Sequence, residues 1–559
     1  MEDLLKKVLE NALKKAYPAS VEDIHIEHPD NSNFGDYSTN LPLILASKVK
    51  QSPMEIAKNI VYEIDVEEIQ GDYRKKSVRI LKSVEIAQPG FINFVLSEEW
   101  LHKLLNTVIV IGENYGRAEN LKNRNVILEY TDPNPFKVFH IGHLMTNAIG
   151  ETLSRLYEFQ GANVKRANYQ GDIGMHVAKS IWGLNEILVK NDTDIHSIGK
   201  KPLEERIDYL GKAYALGAKR SNEDPAIERE IKGLNLKLYY VAQQYLSEKE
   251  GWAPLVNYKK LIEDFDEIEM KQLSTLYKEG RSWSLEYFET LYKRLGTKFD
   301  YYFFESVVGE LGMKIVKNAL KKGVFEENEG AVIFKGEKYG LHTRVFLNSL
   351  GLPVYEAKDL GLAFLKYEHF IYDESVIITA NEINEYFKVV IKAMEKIEPN
   401  ISGKTIHIGH GMMKFKHGKM SSRTGDVISG VSLLDDLQGK VKKIIKESSS
   451  SAVSSEDIDK VSDSVAVAAI KYAVLKHGIG NDIVYDEKEI LNLSGNSGPY
   501  LLYTYARTNS LLEKAGIKDI SKLNEYDYKT LKLNDQEKSL LRAMYKFPEY
   551  VDSATESSN

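Results

Sequence analysis

The chain contains no cysteine. Disulfides, thiolate nucleophiles, iron–sulfur clusters and cysteine-ligated zinc are thereby excluded. It also lacks any run of about 18 apolar residues, so no membrane-spanning helix is expected. The opening MEDLLKKVLENALKKAYP has amphipathic helical spacing but not the apolar centre of a signal peptide, and the reading is a cytoplasmic protein. Nor is there an excess of positive charge. With a formal net charge of −7, any polyanionic partner must be met by local basic patches. Candidates are YRKK at Tyr73–Lys76 and KVKKIIK at Lys440–Lys446, each of which alone reads as solvated surface.

What is present describes a globular protein. Hydrophobic residues make up 43% and charged residues 28% of 559 positions, enough chain for two to four domains. Residues 1 to about 115 read as a mixed α/β unit: a helical start, then KSVRILKSVEIAQPGFINFVL with the β-rich, Pro-Gly-punctuated character of sheet strands. From about 124 to 435, short apolar segments alternate with helical ones. NVILEYT, VFLNS, LPVYEA, SVIITA and TIHIGHGMMK read as strands of a parallel sheet. A charged, helix-rich insertion occupies about 176–300. After the serine-rich Ser448–Ser455 the sequence turns helical, from 456 to the end.

One tetrapeptide occurs twice, as His140-Ile141-Gly142-His143 and as His407-Ile408-Gly409-His410. The first follows an apolar strand (Val126, Ile127, Leu128) and the loop Thr131-Asp132-Pro133-Asn134-Pro135. It precedes a helix whose face is marked by Leu144, Ile149, Leu153, Leu156 and Phe159, with Gly161 as its stop; NVKRANYQ follows as a second strand. This is a βαβ unit with the histidines at the loop-to-helix junction, where free N–H groups and the positive helix end favour an anion. Gly142 lets a phosphate or base approach the backbone. The second copy has no helix after it and reads as a buried strand, a structural use of the same letters. Just beyond it, HGKMSSRTGD (His417 to Asp426) concentrates ammonium and hydroxyl donors of the kind that hold a triphosphate.

Together these two elements resemble the HIGH and KMSKS motifs of class I aminoacyl-tRNA synthetases, and their surroundings resemble arginyl-tRNA synthetases in particular. The ordered matches are NSNFGDYSTNLPLILAS, AQPGFINFVLS, EYTDPNPFKVFHIGHL, NYQGDIGMHVAK, FDYYFFES, LPVYEAKDLGLA and, after the serine-rich stretch, SVAVAAIKYAVLKHGIGNDIVYDEKEILNLSGNSGPYLLYTYARTNSLLEKAG. The resemblance implies an α/β N-terminal domain (1–115) that contacts the tRNA elbow. It implies a Rossmann-like parallel-sheet catalytic domain (124–435) and a C-terminal α-helical anticodon-binding bundle (456–559), shorter than the family's usual one. It also implies activation of L-arginine by ATP with Mg2+, no tightly bound metal, and transfer to tRNA(Arg) by a monomer with no DNA or membrane partner.

The implied roles are specific. His140 and His143 donate to the phosphate as charge builds, with Gly142 making room. Lys419, Met420, Ser421, Ser422 and Arg423 hold the ATP phosphates. Ser422 replaces the second lysine of KMSKS, and Lys137, three residues before His140, supplies that charge. For the substrate, paired carboxylates suit a planar, permanent guanidinium cation: Glu305 and Asp359 grip it, Tyr355 adds a hydroxyl, and Glu129 and Asn134 hold the α-amino and carboxylate groups. Asp132, Tyr169, Asp172, Gly174, Asn381 and Glu382 are further candidate contacts. Two other readings compete: a synthetase-like protein that binds tRNA or arginine without charging, and a class I adenylating enzyme for another amino acid. The cysteinyl type is excluded by the missing thiolates, and the branched-chain types are disfavoured by the lack of an editing insert.

Overall fold

The computed structural model describes residues 1–17, 24–67, 69–73, 76–250, 253–415, 429–447, 454–525 and 528–558. By packing, the chain divides into two compact units, one of residues 1–117 with 511–556 and one of residues 118–510 with 557–559. Among the described residues, no helix is long and apolar enough to cross a membrane.

The first unit opens with α1 (Glu2–Ala16), followed by β1 (Tyr37–Thr39), α2 (Leu41–Val49) and α3 (Pro53–Tyr62). A hairpin of β2 (Gln70–Tyr73) and β3 (Lys76–Arg79) leads to β4 (Leu81–Ala87), β5 (Phe91–Leu96) and α4 (Glu98–Ile111). β1, β5 and β4 form an antiparallel sheet in that order. Its alternate residues Ile92, Phe94 and Leu96 are buried under Leu5, Leu9 and Leu13 of α1, as period-2 and period-3.6 patterns require when two elements share a core.

The second unit is built on β6 (Asn125–Glu129), α5 (Ile141–Phe159) and β7 (Asn163–Gln170), the βαβ unit visible in the sequence. A helical excursion follows: α6 (Met175–Lys190), α7 (Ile195–Gly199), α8 (Leu203–Glu223), α9 (Pro225–Glu250) and α10 (Glu267–Leu295). The chain returns through β8 (Tyr301–Phe304) and α11 (Glu305–Lys321) to a small antiparallel sheet of β9 (Glu326–Asn328), β10 (Ala331–Phe334) and β11 (Arg344–Leu347). Then come α12 (Tyr355–His369), β12 (Glu374–Ala380), α13 (Asn384–Ile397), α14 (Pro399–Ser402), β13 (Thr405–His410) and β14 (Met413–Phe415). The remainder is α15 (Gly430–Glu447), α16 (Ile458–Leu475), β15 (Ile483–Tyr485), α17 (Glu487–Ile490) and α18 (Gly498–Lys514), and last α19 (Asp535–Ser557), most of which belongs to the first unit.

The central sheet is parallel throughout, in the order β13-β12-β6-β7-β8. Helices cover both faces, as buried parallel strands demand. Val126 and Leu128 of β6 face α5, α15 and α16, whereas Ile127 faces the layer containing Val308 of α11 and Leu362 of α12. Two segments differ from their sequence expectations. VFLNS lies in β11 of the antiparallel side sheet, outside the parallel one. LPVYEA is extended only to Val354, with Pro353 bridging Leu347; Tyr355 already begins α12. A four-residue apolar run cannot by itself distinguish a strand from a helix entry.

α11 and α12 approach very closely. A Cβ on Gly312 would stand 1.8 Å from the Ala357 carbonyl oxygen, and one on Gly361 would stand 2.1 Å from that of Val308. Only glycine permits this backbone contact.

Candidate active site

Leaving β6, the backbone turns through three left-handed non-glycine residues: Thr131 (φ 78°), Asp132 (φ 47°) and Phe136 (φ 65°). Such conformations cost about 1–3 kcal/mol each and persist only where neighbours over-determine them. Here they do. The Asn147 amide donates to Thr131 Oγ1 at 3.0 Å, the Tyr169 N–H to Asp132 Oδ1 at 2.7 Å, and the Phe136 N–H to Ser284 Oγ at 3.0 Å. The Gly171 N–H likewise donates to Asn134 Oδ1 at 2.8 Å, tying this loop to the end of β7.

The loop delivers His140 to the N-terminal end of α5. His140 and His143 stack with ring centroids 3.6 Å apart and planes at 20°. A Cβ on Gly142 would lie 3.0 Å from His140 Cε1 and Nδ1, so the glycine leaves the ring its place. The His140 N–H donates to His143 Nδ1 at 3.0 Å, which leaves the proton of a neutral His143 on Nε2. Burial holds the His140 imidazole down at about 4, with the Lys137 ammonium adding to the effect. Burial also lowers His143, helped by His140 and Lys137. Both rings are neutral donors at physiological pH. Lys137 is itself lowered by burial and opposed by Glu305, so its charge acts on both the histidines and that acid. At Ser429 the chain pairs with His140 in an antiparallel bridge, and the Gly430 N–H donates to the Phe139 carbonyl at 2.9 Å. Lys419, Met420, Ser421, Ser422 and Arg423 lie outside the described residues.

Beside the histidines is a cluster of acids at the carboxyl ends of the strands, where open α/β sheets bind ligands. Glu129 ends β6 and Glu305 begins α11; both are buried. Lys366 Nζ donates to Glu129 Oε2 at 2.6 Å and to Ser375 Oγ at 3.1 Å, and Lys358 Nζ donates to Glu305 Oε2 at 2.6 Å. Asp359 accepts from the Tyr386 hydroxyl at 2.5 Å. Burial pushes Asp359 up to about 8, with Glu129 and Glu305 adding to the rise. Asp132 is raised well above the usual carboxylate range by burial and then by Glu129. Among the described residues the buried Tyr169 hydroxyl has no hydrogen-bond partner, and after burial its titration is raised most by Glu305 and Asp359. Four carboxylates around two tyrosines, with two ammonium groups among them, make a site for a cation.

The remaining candidates are placed differently. Asp172 is fully buried, and its carboxylate accepts from Arg281, Tyr277 and both the N–H and hydroxyl of Ser306. It therefore anchors the first turn of α11, and with it Glu305. Gly174, at φ 111°, precedes α6. Tyr355 is 63% exposed at the first turn of α12. Asn381 and Glu382 form a turn after β12, with Glu382 exposed.

The second tetrapeptide is the edge strand β13, its ends buried but Ile406 exposed. His407 stacks on Phe387 at 4.1 Å and shares a 2.7 Å hydrogen bond with Thr379 Oγ1, and burial lowers it to about 4. It packs the sheet edge against α13. The residues that sequence reading missed are Lys358, Lys366, Tyr386 and Ser429. Only Lys358, adjacent to Asp359, carried any local signal.

In the first unit a separate cavity of about 320 Å3 is lined by Asn31, Phe34, Ser38, Gln88, Phe91 and Asn93 among others. Elsewhere in that unit, α19 is fastened by Arg542 Nε to Asp36 at 2.6 Å, and Glu549 accepts from Tyr37 at 2.9 Å and pairs with His28 at 2.7 Å.

Comparison with known proteins bears on all three regions. The family described as "tRNA synthetases class I (R), catalytic domain" matches residues 105–487, "Arginyl tRNA synthetase N terminal domain" matches 3–96, and "DALR anticodon binding domain" matches 501–559. The arginine–tRNA ligase of Treponema denticola is 29% identical over 575 residues, covering 98% of this chain and 86% of its own. That of Fusobacterium nucleatum is 29% identical over 558 residues, covering 100% and 88%. The solved arginyl-tRNA synthetase of Thermus thermophilus shares the fold with a TM-score of 0.69 at 20% identity, covering 99% of this chain and 87% of that one. The catalytic match alone spans more than half the sequence, and the chain belongs to the class I arginyl-tRNA synthetases.

Proposed function

We propose that the protein is an arginine–tRNA ligase that activates L-arginine with ATP and transfers it to tRNA(Arg), with Glu129, Asp132, Glu305 and Asp359 as its arginine-recognising acids. The observation that carries this reading is the acid cluster lying beside two neutral, stacked histidines at a helix N-terminus. Glu305 and Asp359 suit the guanidinium, whose planar fork favours carboxylate pairs. Glu129 suits the α-ammonium group, and Asn134 the carboxylate end.

The chemistry follows from that placement. The substrate carboxylate attacks the α-phosphorus of ATP in line, pyrophosphate leaves, and the tRNA 3′ hydroxyl then displaces AMP from the adenylate. In-line displacement needs alignment and charge stabilisation more than covalent help. His143 Nε2–H and the His140 ring donate toward the phosphate as charge develops, and Lys137 adds a positive charge nearby. Lys419, Ser421, Ser422 and Arg423 act on the pyrophosphate side, with Met420 among them; their stretch re-enters the described chain at Ser429, against His140. In the first unit, the half-exposed Phe34 and the amides of Asn31 and Gln88 offer a stacking face and base-edge donors for one tRNA nucleotide. The non-charging alternative is not favoured.

The test is ATP–pyrophosphate exchange dependent on arginine, with and without total tRNA, using lysine and citrulline as controls. Exchange with arginine alone among the three supports the reading; equal exchange with citrulline would sink it.

A further inference from the structure

We infer that Lys366 and Lys358 are positioning residues for arginine recognition, each buried ammonium holding Oε2 of one substrate-facing glutamate and leaving Oε1 open. The inference rests on the functional reading above and deepens it.

The geometry is the same at two places. Lys366 is 1% exposed and holds Glu129; Lys358 is 4% exposed and holds Glu305. In each glutamate the other oxygen, Oε1, receives no hydrogen bond among the described residues. Glu305 Oε1 faces Gly171, where an added Cβ would come within 3.1 Å. Both lysines project from α12, eight residues and about 12 Å apart along the axis. They reach acids on different elements, the end of β6 and the start of α11. Lys366 is steadied by Ser375, whose position in β12 pairs with Ile127 of β6.

A purely structural role accounts poorly for this arrangement. Buried ion pairs cost several kcal/mol of desolvation per ion, and apolar replacements are often neutral or stabilising. Two such pairs in one acid cluster instead solve a local problem. Four carboxylates cannot stay ionised together in a buried site unless some are compensated. With arginine bound and all four ionised, two ammonium groups leave two formal negative charges, which match the guanidinium and α-ammonium of the substrate. Asp359 and Asp132, to which no lysine among the described residues donates a hydrogen bond, are the two whose protonation is pushed upward.

The experiment uses the full chain with tRNA and measures the arginine KM, ATP KM and kcat of exchange, with calorimetric arginine binding as a second readout. Lys366→Met is expected to raise the arginine KM about tenfold or more, with the ATP KM within about twofold, and Lys366→Arg to restore most of the loss. If Lys366 acts through Glu129, adding Lys366→Met to Glu129→Gln changes the arginine KM by less than about twofold further. A folded Lys366→Met protein with unchanged arginine KM, or an effect fully additive with Glu129→Gln, overturns the inference. If Lys366→Met does not fold, Lys358→Met with Glu305→Gln is read in the same way. Failure of both lysine variants to fold assigns the pairs a structural role and overturns it too. Wild-type protein that binds no arginine overturns the functional reading, and this inference with it.

Discussion

The Tyr386 hydroxyl donates to Asp359 at 2.5 Å while the same carboxylate faces Glu129 and Glu305, so a hydrogen bond that favours its ionised form competes with two like charges. Burial outweighs the hydrogen bond and the nearby Lys366, and Asp359 is raised to about 8. Glu129 comes from β6, Glu305 from α11, Tyr386 from α13 and Lys366 from α12 itself, with Asp132 and Tyr169 also facing the group. Guanidinium binding requires the ionised form. The arginine KM therefore falls as pH rises from 7 toward 8, by up to about tenfold per unit for a single proton. Arginine binding at pH 7 also releases protons, which calorimetry in buffers of different ionisation enthalpy measures. The stability sign is opposite for the free protein. A carboxyl raised in the folded state contributes stability that is present below its ordinary value near 4 and is lost as pH rises to about 8. Stabilisation by added arginine should thus grow between pH 7 and 9; a constant thermal shift across that range would count against the assignment.

The histidine pair makes the opposite pH statement. With His140 held near 4 and His143 lower than its ordinary value, kcat at saturating arginine shows no inflection near 6.5. His140→Ala or His143→Ala lowers kcat by about 10²–10³-fold, the scale for losing a preorganised donor in the transition state. An inflection near 6.5 that disappears in His140→Ala would mean the ring works as a cation instead.

Gly361→Ala tests how firmly α12 is seated. The new methyl would meet the Val308 carbonyl at 2.1 Å, and overpacking costs about 1–3 kcal/mol. Because α12 carries Lys358, Asp359 and Lys366, the arginine KM rises more than the ATP KM. Equal changes in both would disconnect the helix contact from substrate binding.

In the first unit, Asp36 is 4% exposed and is held by Arg542 and by the Leu96 N–H at 2.7 Å. Arg542→Met leaves that carboxylate with one donor among the described residues. Since Arg542 is itself 31% exposed, the cost is discounted to about 1–3 kcal/mol. Hydrogen exchange should show lost protection in α19 before α5; uniform loss across both would contradict this.

Local patterns carried much of this architecture. The Val126-Leu128 alternation, the Leu144-Ile149-Leu153 face and the NVKRANYQ strand are short-range signals, and the βαβ unit follows from them. The acids Glu129, Glu305 and Asp359 were legible as candidates through resemblance. Their lysine partners were not, because Lys366 lies 237 residues from Glu129 and nothing near it in sequence marks it as buried. Asp172 read as a candidate substrate contact, since a sequence does not reveal that Arg281, Tyr277 and Ser306 converge on it. The left-handed Thr131 gave no warning either: a β-branched residue disfavours that conformation, and the hydrogen bond from Asn147, distant in sequence, helps to hold it.

The glycine-to-backbone seam between α11 and α12 has a consequence for altering what the site accepts. Tyr355, Lys358, Asp359 and Lys366 ride on one rod clamped too tightly to its neighbour to slide or tilt by small steps. A change of amino-acid preference by substitution at Asp359 alone would leave two internal cations still tuned to a doubly charged guest. Such a change has to rewrite the whole helix face at once, which makes the preference for arginine hard to erode by single mutations.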